Sequence, residues 1–90
     1  MKVTNNEKES QFEAQVDGAL AVAAYDLEPG RMTLTHTKVP PELEGRGIAG
    51  QLAKAALDHA RAEGLKVVPE CSYMAKYIER HPEYRDLVEE

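Results

Sequence analysis

The run Pro40-Pro41-Glu42-Leu43-Glu44-Gly45-Arg46-Gly47-Ile48-Ala49-Gly50 follows a β-type segment and opens a long amphipathic helix. Glycine lets the backbone come close to a ligand and aim consecutive N–H groups at it. The first N–H groups of a helix have no partner inside it, and the helix dipole adds partial positive charge there. Together these features describe a seat for a phosphate or a pyrophosphate.

Upstream of the loop, Gln11 to Val16 alternates, with Phe12, Ala14 and Val16 on one face and Glu13 and Gln15 on the other. Asp17-Gly18 is a hairpin turn, since both positions tolerate positive φ. Ala19 to Leu27 is almost wholly apolar, which predicts a strand covered on both faces. Glu28-Pro29-Gly30 is a second turn. Arg31 to Val39 alternates again, with Met32, Leu34 and His36 against Thr33, Thr35 and Thr37. Three antiparallel strands joined by two tight turns make a meander. Pro40-Pro41 ends it, because proline has no N–H for a ladder. Residues 1–10 read as a flexible N-terminal lead, ahead of a single domain over 11–90.

Downstream, Gly47 to Glu63 carries Ile48, Leu52, Ala53, Ala56, Leu57 and Ala60 on one stripe, with Gln51, Lys54, Asp58 and Arg61 facing water. Gly64 closes that helix. Leu65 to Val68 is a short buried strand broken by Pro69, and a right-handed crossover would set it parallel to the third strand. Ser72 reads as the N-cap of a second helix reaching Arg80, with Met74, Tyr77 and Ile78 inward. His81-Pro82 breaks it, and Tyr84 to Glu90 reads as a terminal turn. The order β-β-β-α-β-α makes this a mixed α+β chain.

Ninety residues hold one small domain that buries only about 60–65% of its unfolded surface. Cys71 is the lone cysteine, so no intrachain disulfide supports that thin core, and a single thiol fits a reducing compartment. The start of the chain has no apolar leader, and no apolar run is long enough to span a bilayer. The expectation is a cytoplasmic protein. A net charge of −5 argues against a nucleic-acid partner. The acidic residues at Glu42, Glu44, Glu79 and Glu83 to Glu90 read as a solvated surface, or as a rim that favours a cationic substrate such as an amine. No His, Cys, Asp and Glu set has metal-ligand spacing, so no metal is expected.

Several glycine loops compete for this motif. No Gly-Lys-Ser/Thr follows, which excludes a Walker loop. Gly45-Arg46-Gly47-Ile48-Ala49-Gly50 does spell the dinucleotide fingerprint, but it follows an antiparallel meander. Neither Glu63 nor Glu70 can serve as the ribose-binding acid. A tight turn that merely packs a helix on a sheet is the remaining alternative.

Here the chain resembles the GNAT N-acetyltransferase superfamily, whose signature at this junction is Arg/Gln-x-x-Gly-x-Gly/Ala. It aligns as Glu44-Gly45-Arg46-Gly47-Ile48-Ala49. Thr35-His36-Thr37, the PPELEGRGIA run, Pro69-Glu70-Cys71-Ser72-Tyr73 and His81-Pro82-Glu83-Tyr84 are similar to the short, single-domain GNAT-like branch, over residues 11–88. Two departures stand out. Glu44 replaces the usual Arg or Gln, and the chain lacks the extra helices and strands that shape the acceptor pocket in larger members.

The resemblance implies a GNAT-like fold and acetyl-CoA as cosubstrate. Its pyrophosphate would lie on the N–H groups of Gly45, Arg46, Gly47, Ile48, Ala49 and Gly50. Its pantetheine arm would run between the splayed third and fourth strands, against backbone at Thr37 and Val39, with the thioester beside Cys71. The activity implied is acetyl transfer to an amine of a small molecule or a protein. The alternatives are a non-catalytic acyl-CoA-binding module and an interaction domain with no cofactor. Oligomeric state is open, since a short sheet leaves edges that a partner could cover.

Four side chains are candidates for the chemistry. Cys71, between a strand and a helix start, reads as a nucleophile or proton donor, or as a small buried hydrophobe. Tyr73 and Tyr77 stand where the resemblance puts a proton donor for the departing thiolate, and their spacing equally suits core packing. His36 reads as a general base or as a satisfied core histidine. His59 and His81 carry no case.

Overall fold

Apolar–polar alternation with tight turns folds this chain into one five-stranded sheet. In spatial as in chain order, its strands are β1 (Val3–Asn6), β2 (Gln11–Val16), β3 (Ala19–Glu28), β4 (Arg31–Lys38) and β5 (Lys66–Pro69). The computed structural model describes residues 1–89. β1 to β4 pair antiparallel and β5 pairs parallel to β4, as a crossover through a helix requires.

The segment read as a loose lead contains β1. Val3 pairs with Ala14 and Asn5 with Phe12, and the Tyr25 hydroxyl donates to Asn5 Oδ1 at 2.7 Å. Val3–Asn6 is too short and polar to show a pattern of its own; the free edge of β2 and the Tyr25 hydroxyl supply its partners. β3 also departs from expectation. Ala21, Ala23 and Tyr25 are buried, but Leu20 is 44% exposed and Val22 and Ala24 are half-buried. Its apolar run has one covered face, not two.

β4 holds one residue more than the stretch of β3 it faces. Tyr25 pairs with Leu34 and Ala24 with His36, which leaves Thr35 as a bulge. Beyond it the two-residue period resets. Leu34 points into the core, His36 shares the outer face with Ala24, and Thr37 shares the inner face with buried Ala23. The expectation that His36 lies with Met32 and Leu34 fails for this reason.

Helix α1 (Ile48–Ala62) follows Gly47, a left-handed N-cap at φ 75°, and buries Ile48, Leu52, Ala53, Ala56, Leu57 and Ala60 against the sheet. Helix α2 (Ser72–Arg80) packs on the same face through Met74 and Ile78. Cys71, not Ser72, holds its N-cap position, because Cys71 is still extended (φ −73°, ψ 127°) when the helix begins at Ser72. A short 3-10 helix at Pro82–Leu87 then buries Tyr84 and Leu87. Val88 bridges Val67, and the Glu89 N–H donates to the Val67 carbonyl at 2.9 Å, which covers the far edge of β5. The expected turn over 84–90 thus starts at Pro82, and Glu90 lies outside the described residues. A thinnest dimension of 19 Å fits one helical layer on one sheet, with the outer sheet face uncovered. Among the described residues no helix is long and apolar enough to cross a membrane.

Tyr84 fastens the C-terminal segment to α1. Its hydroxyl donates to Asp58 Oδ1 at 2.7 Å, and Lys54 Nζ donates to Asp58 Oδ2 at 2.7 Å. Burial and then the Asp58 bond push the Tyr84 phenol far up. Burial also pushes the Asp58 carboxyl up, but the Lys54 and Tyr84 bonds outweigh it and hold the group below its usual value. Tyr84→Phe is expected to cost about 1 kcal/mol of unfolding free energy at pH 7. A carboxyl held low in the fold stabilises above its unfolded value and stops doing so as pH falls through its folded value. Denaturant unfolding of both proteins should therefore show the difference shrinking below about pH 4.

Candidate functional site

The site begins where β4 and β5 part. Their ladder runs from Arg31–Lys66 to Leu34–Pro69, and Pro69 has no N–H to extend it. The Glu70 N–H turns back to the Val68 carbonyl at 3.1 Å, and the Cys71 N–H reaches the Leu34 carbonyl at 3.0 Å as the last link. Among the described residues, no strand pairs with Thr35 to Lys38 on that side.

At the end of this free edge stands the glycine loop. A 3-10 turn at Pro41–Leu43 anchors it through Leu43, which is 1% exposed. Gly45 and Gly47 hold φ 81° and 75°, left-handed values that side chains resist. Among the described residues, the N–H groups from Gly45 to Gly50 find no acceptor; the first bond into the helix is Gln51 N–H to the Gly47 carbonyl at 3.2 Å. A pocket of about 160 Å³ opens over them, lined by Val39, Leu43, Glu44, the loop itself and Tyr73. A methyl on Gly50 would enter this space 3.7 Å from the Tyr73 hydroxyl and 3.9 Å from Tyr77 Cε2. Consecutive bare N–H donors at a helix start, roofed by a phenol, fit a diphosphate. Arg46 offers only its backbone here, since its guanidinium is paired with Asp17 at 2.9 Å across the β2–β3 turn.

At the other end lies Cys71, half-buried, its Sγ 3.6 Å from Thr37 Oγ1, a hydroxyl that donates to the sulfur once the thiol ionises. Burial pushes the thiol up. The Met74 N–H, the Thr37 hydroxyl and the Tyr73 N–H outweigh that and hold it below the ordinary thiol value. The Thr35 bulge is what turns Thr37 inward to meet the sulfur. The same bulge sends His36 to the open face, exposed, with Thr35 Oγ1 3.5 Å from its Nδ1. His36 and Cys71 therefore do not form a base–nucleophile pair.

Tyr73 and Tyr77 belong to an aromatic ladder on α2. Their ring centroids are 6.3 Å apart, and Tyr77 stacks on His81 at 3.9 Å and 14°. His81 Nδ1–H donates to the Tyr77 carbonyl at 2.8 Å, and Tyr84 lies 6.3 Å from Tyr77. The sequence reading gave His81 no role. The four-residue spacing of Tyr73, Tyr77 and His81 was the available signal. His59 also is not free: it is half-buried, its ring edge-on to Phe12 at 5.6 Å. Val39, the glycine loop and Tyr73 thus line one pocket, with the Tyr77 ring also close to Gly50, while Thr37 meets Cys71 at the free edge of β4; His36 joins neither group. A larger open hollow of about 410 Å³, between Leu27, Pro29, His59 and Glu63, lies at the opposite end of α1. Among the described residues no three His, Cys, Asp or Glu side chains converge in a way that could hold a metal ion.

The chain is similar to known proteins. Residues 11–87 match the family model described as GCN5-related N-acetyl-transferase. Protein NATD1 of Gallus gallus is 40% identical over 85 residues, covering 91% of this chain and 77% of its own. Protein NATD1 of Homo sapiens is 39% identical over 85 residues, covering 91% and 75%. The solution structure of a GCN5-like protein of Staphylococcus aureus aligns with a TM-score of 0.77 at 30% identity, over 98% of this chain and 87% of that one. The chain belongs to the GCN5-related N-acetyltransferase family.

Proposed function

We propose that this chain is an acetyl-CoA-dependent N-acetyltransferase that moves an acetyl group to an amine of a small molecule or a protein. The observation that carries the reading is the set of unpaired N–H groups from Gly45 to Gly50, which stands at one end of the free edge of β4, while Thr37 on that edge meets the Cys71 thiol. Bound acetyl-CoA supplies the acetyl group as a thioester. The glycine-loop N–H groups would hold its diphosphate, and backbone at Thr37 and Val39 would take its amide-rich arm. Cys71, whose thiol is held low, would accept the acetyl group or pass a proton. Burial pushes the Tyr77 phenol up, so it keeps a proton to give to a departing thiolate. His36 would serve as base only for an acceptor that arrives from the open face of the sheet.

One observation favours a second reading, a non-catalytic acyl-CoA-binding module. The two titratable candidates, His36 and Cys71, open on opposite faces, so neither activates the other.

Titration calorimetry with acetyl-CoA is expected to give saturable heat; none would sink both readings. Gly50→Ala should keep or raise stability, by up to about 1 kcal/mol from helix propensity, because its methyl meets only ordinary contacts. The same methyl should weaken acetyl-CoA binding roughly tenfold, about 1.4 kcal/mol, by filling the cradle.

Intact-mass measurement after acetyl-CoA is added without acceptor should show one acetyl group gained, and lost in Cys71→Ala. Unaltered turnover in that variant removes Cys71 as an essential group. Acceptor-dependent CoA release across an amine panel refutes the binding-module reading.

The thiol itself gives an independent check. Its value is lowered in the fold, so thiolate persists to lower pH than in the unfolded chain. The pH midpoint of iodoacetamide alkylation should lie below that of free cysteine, and Thr37→Val should move it upward.

A further inference from the structure

Four tyrosines serve this small fold, and two of them have settled hydroxyls: Tyr25 donates to Asn5 and Tyr84 to Asp58, each at 2.7 Å. Tyr73 differs. It is 38% exposed, and among the described residues its hydroxyl has no hydrogen-bond partner. Its backbone N–H faces the Cys71 sulfur, while its ring reaches across to α1 and brings the hydroxyl to 3.7 Å from where a Gly50 Cβ would stand. The phenol therefore ends over the glycine loop. Glu44 also lines the pocket, and among the described residues no cation pairs with it. A negative charge beside the pocket raises the need for donors to an anion there.

We infer that Tyr73 is a ligand-binding residue whose hydroxyl donates to the diphosphate of coenzyme A, offsetting Glu44. The inference rests on the acetyl-CoA reading above and assigns Tyr73 its place within it. The position of the hydroxyl carries it: this oxygen lines the pocket over the glycine loop and stands beside Gly50. Burial pushes the Tyr73 phenol up, so it remains a donor at neutral pH. Tyr77, next along the ladder, keeps the ring in place whether or not the hydroxyl is present.

The test compares coenzyme A with pantetheine, which lacks the diphosphate, by titration calorimetry on wild type and Tyr73→Phe. Thermal unfolding should show the variant folded, since only an exposed hydroxyl is removed. Tyr73→Phe is expected to weaken coenzyme A about tenfold, the scale of a hydrogen bond to a charged group, and to leave pantetheine unchanged. Adding Glu44→Gln should tighten coenzyme A and recover most of the loss. Equal coenzyme A affinity in Tyr73→Phe overturns the inference, as does an equal loss toward both ligands. Unchanged affinity with lost turnover overturns it too, and returns Tyr73 to proton transfer. No coenzyme A binding by wild type means the cofactor reading itself has failed, and this inference falls with it.

Discussion

β4 and β5 share a ladder only from Arg31 to Leu34, because Pro69 has no N–H to extend it and the chain turns away at Glu70. Everything at the site depends on that parting. It leaves the backbone from Thr35 to Lys38 unpaired on one side, an arrangement a sheet tolerates only at an edge or beside a ligand. The Thr35 bulge falls at the same level. It increases local twist and re-aims the residues after it, so the opening is lined by Thr37 and not by His36. One proline and one extra residue thus make both the gap and its lining.

So thin a fold can hold such a gap because its layers lie close. Ala14 and Ala21 face each other across β2 and β3, and α1 meets them with Ala53, Ala56 and Ala60, all fully buried. Small side chains on both surfaces bring the helix near the sheet without voids. The larger side chains Met32, Leu34, Leu43, Leu52, Leu57 and Met74 fill the remaining space. Leu43 has a second part to play. By burying the end of the 3-10 turn, it lets Gly45 and Gly47 hold left-handed φ without the loop folding back over the helix start.

Local patterns made much of this legible. Asp17-Gly18, Gly30, Pro40-Pro41 and Gly64 act through their own φ or missing N–H, so the turns and the start and end of α1 could be read directly. The apolar stripe of α1 could too, since six positions recur at helical spacing. What escaped depends on partners distant in sequence. β1 exists because β2 has a free edge and Tyr25 can reach Asn5, neither of which shows in Val3–Asn6. A bulge is invisible to a period-two reading, because the pattern before it continues smoothly into the wrong face after it. His36 was misassigned on that account, and Thr37 gained its inward position for the same reason. Tyr77 and His81 were spaced to stack, but only the fold shows that they do.

The nine-residue helix α2 joins the two ends of the path more closely than either end alone implies. Its first N–H groups face the Cys71 sulfur, where they favour thiolate, and its first long side chain, Tyr73, extends to the start of α1. The α1 N-terminus therefore opens on the glycine-loop pocket and the α2 N-terminus on the Cys71 sulfur. Tyr73 spans the distance between them. Its ring is braced by Tyr77, Tyr77 by His81 and Tyr84, and Tyr84 by Asp58 on α1. A chain of side-chain contacts that begins over Gly50 thus closes on the same helix about two turns later, at Asp58. The separation of the α1 and α2 N-termini is set by this packing and by the Cys71 contacts to Leu34 and Thr37 on β4. The edge of β4 beyond Leu34 can therefore stay unpaired without the two helix starts drifting apart.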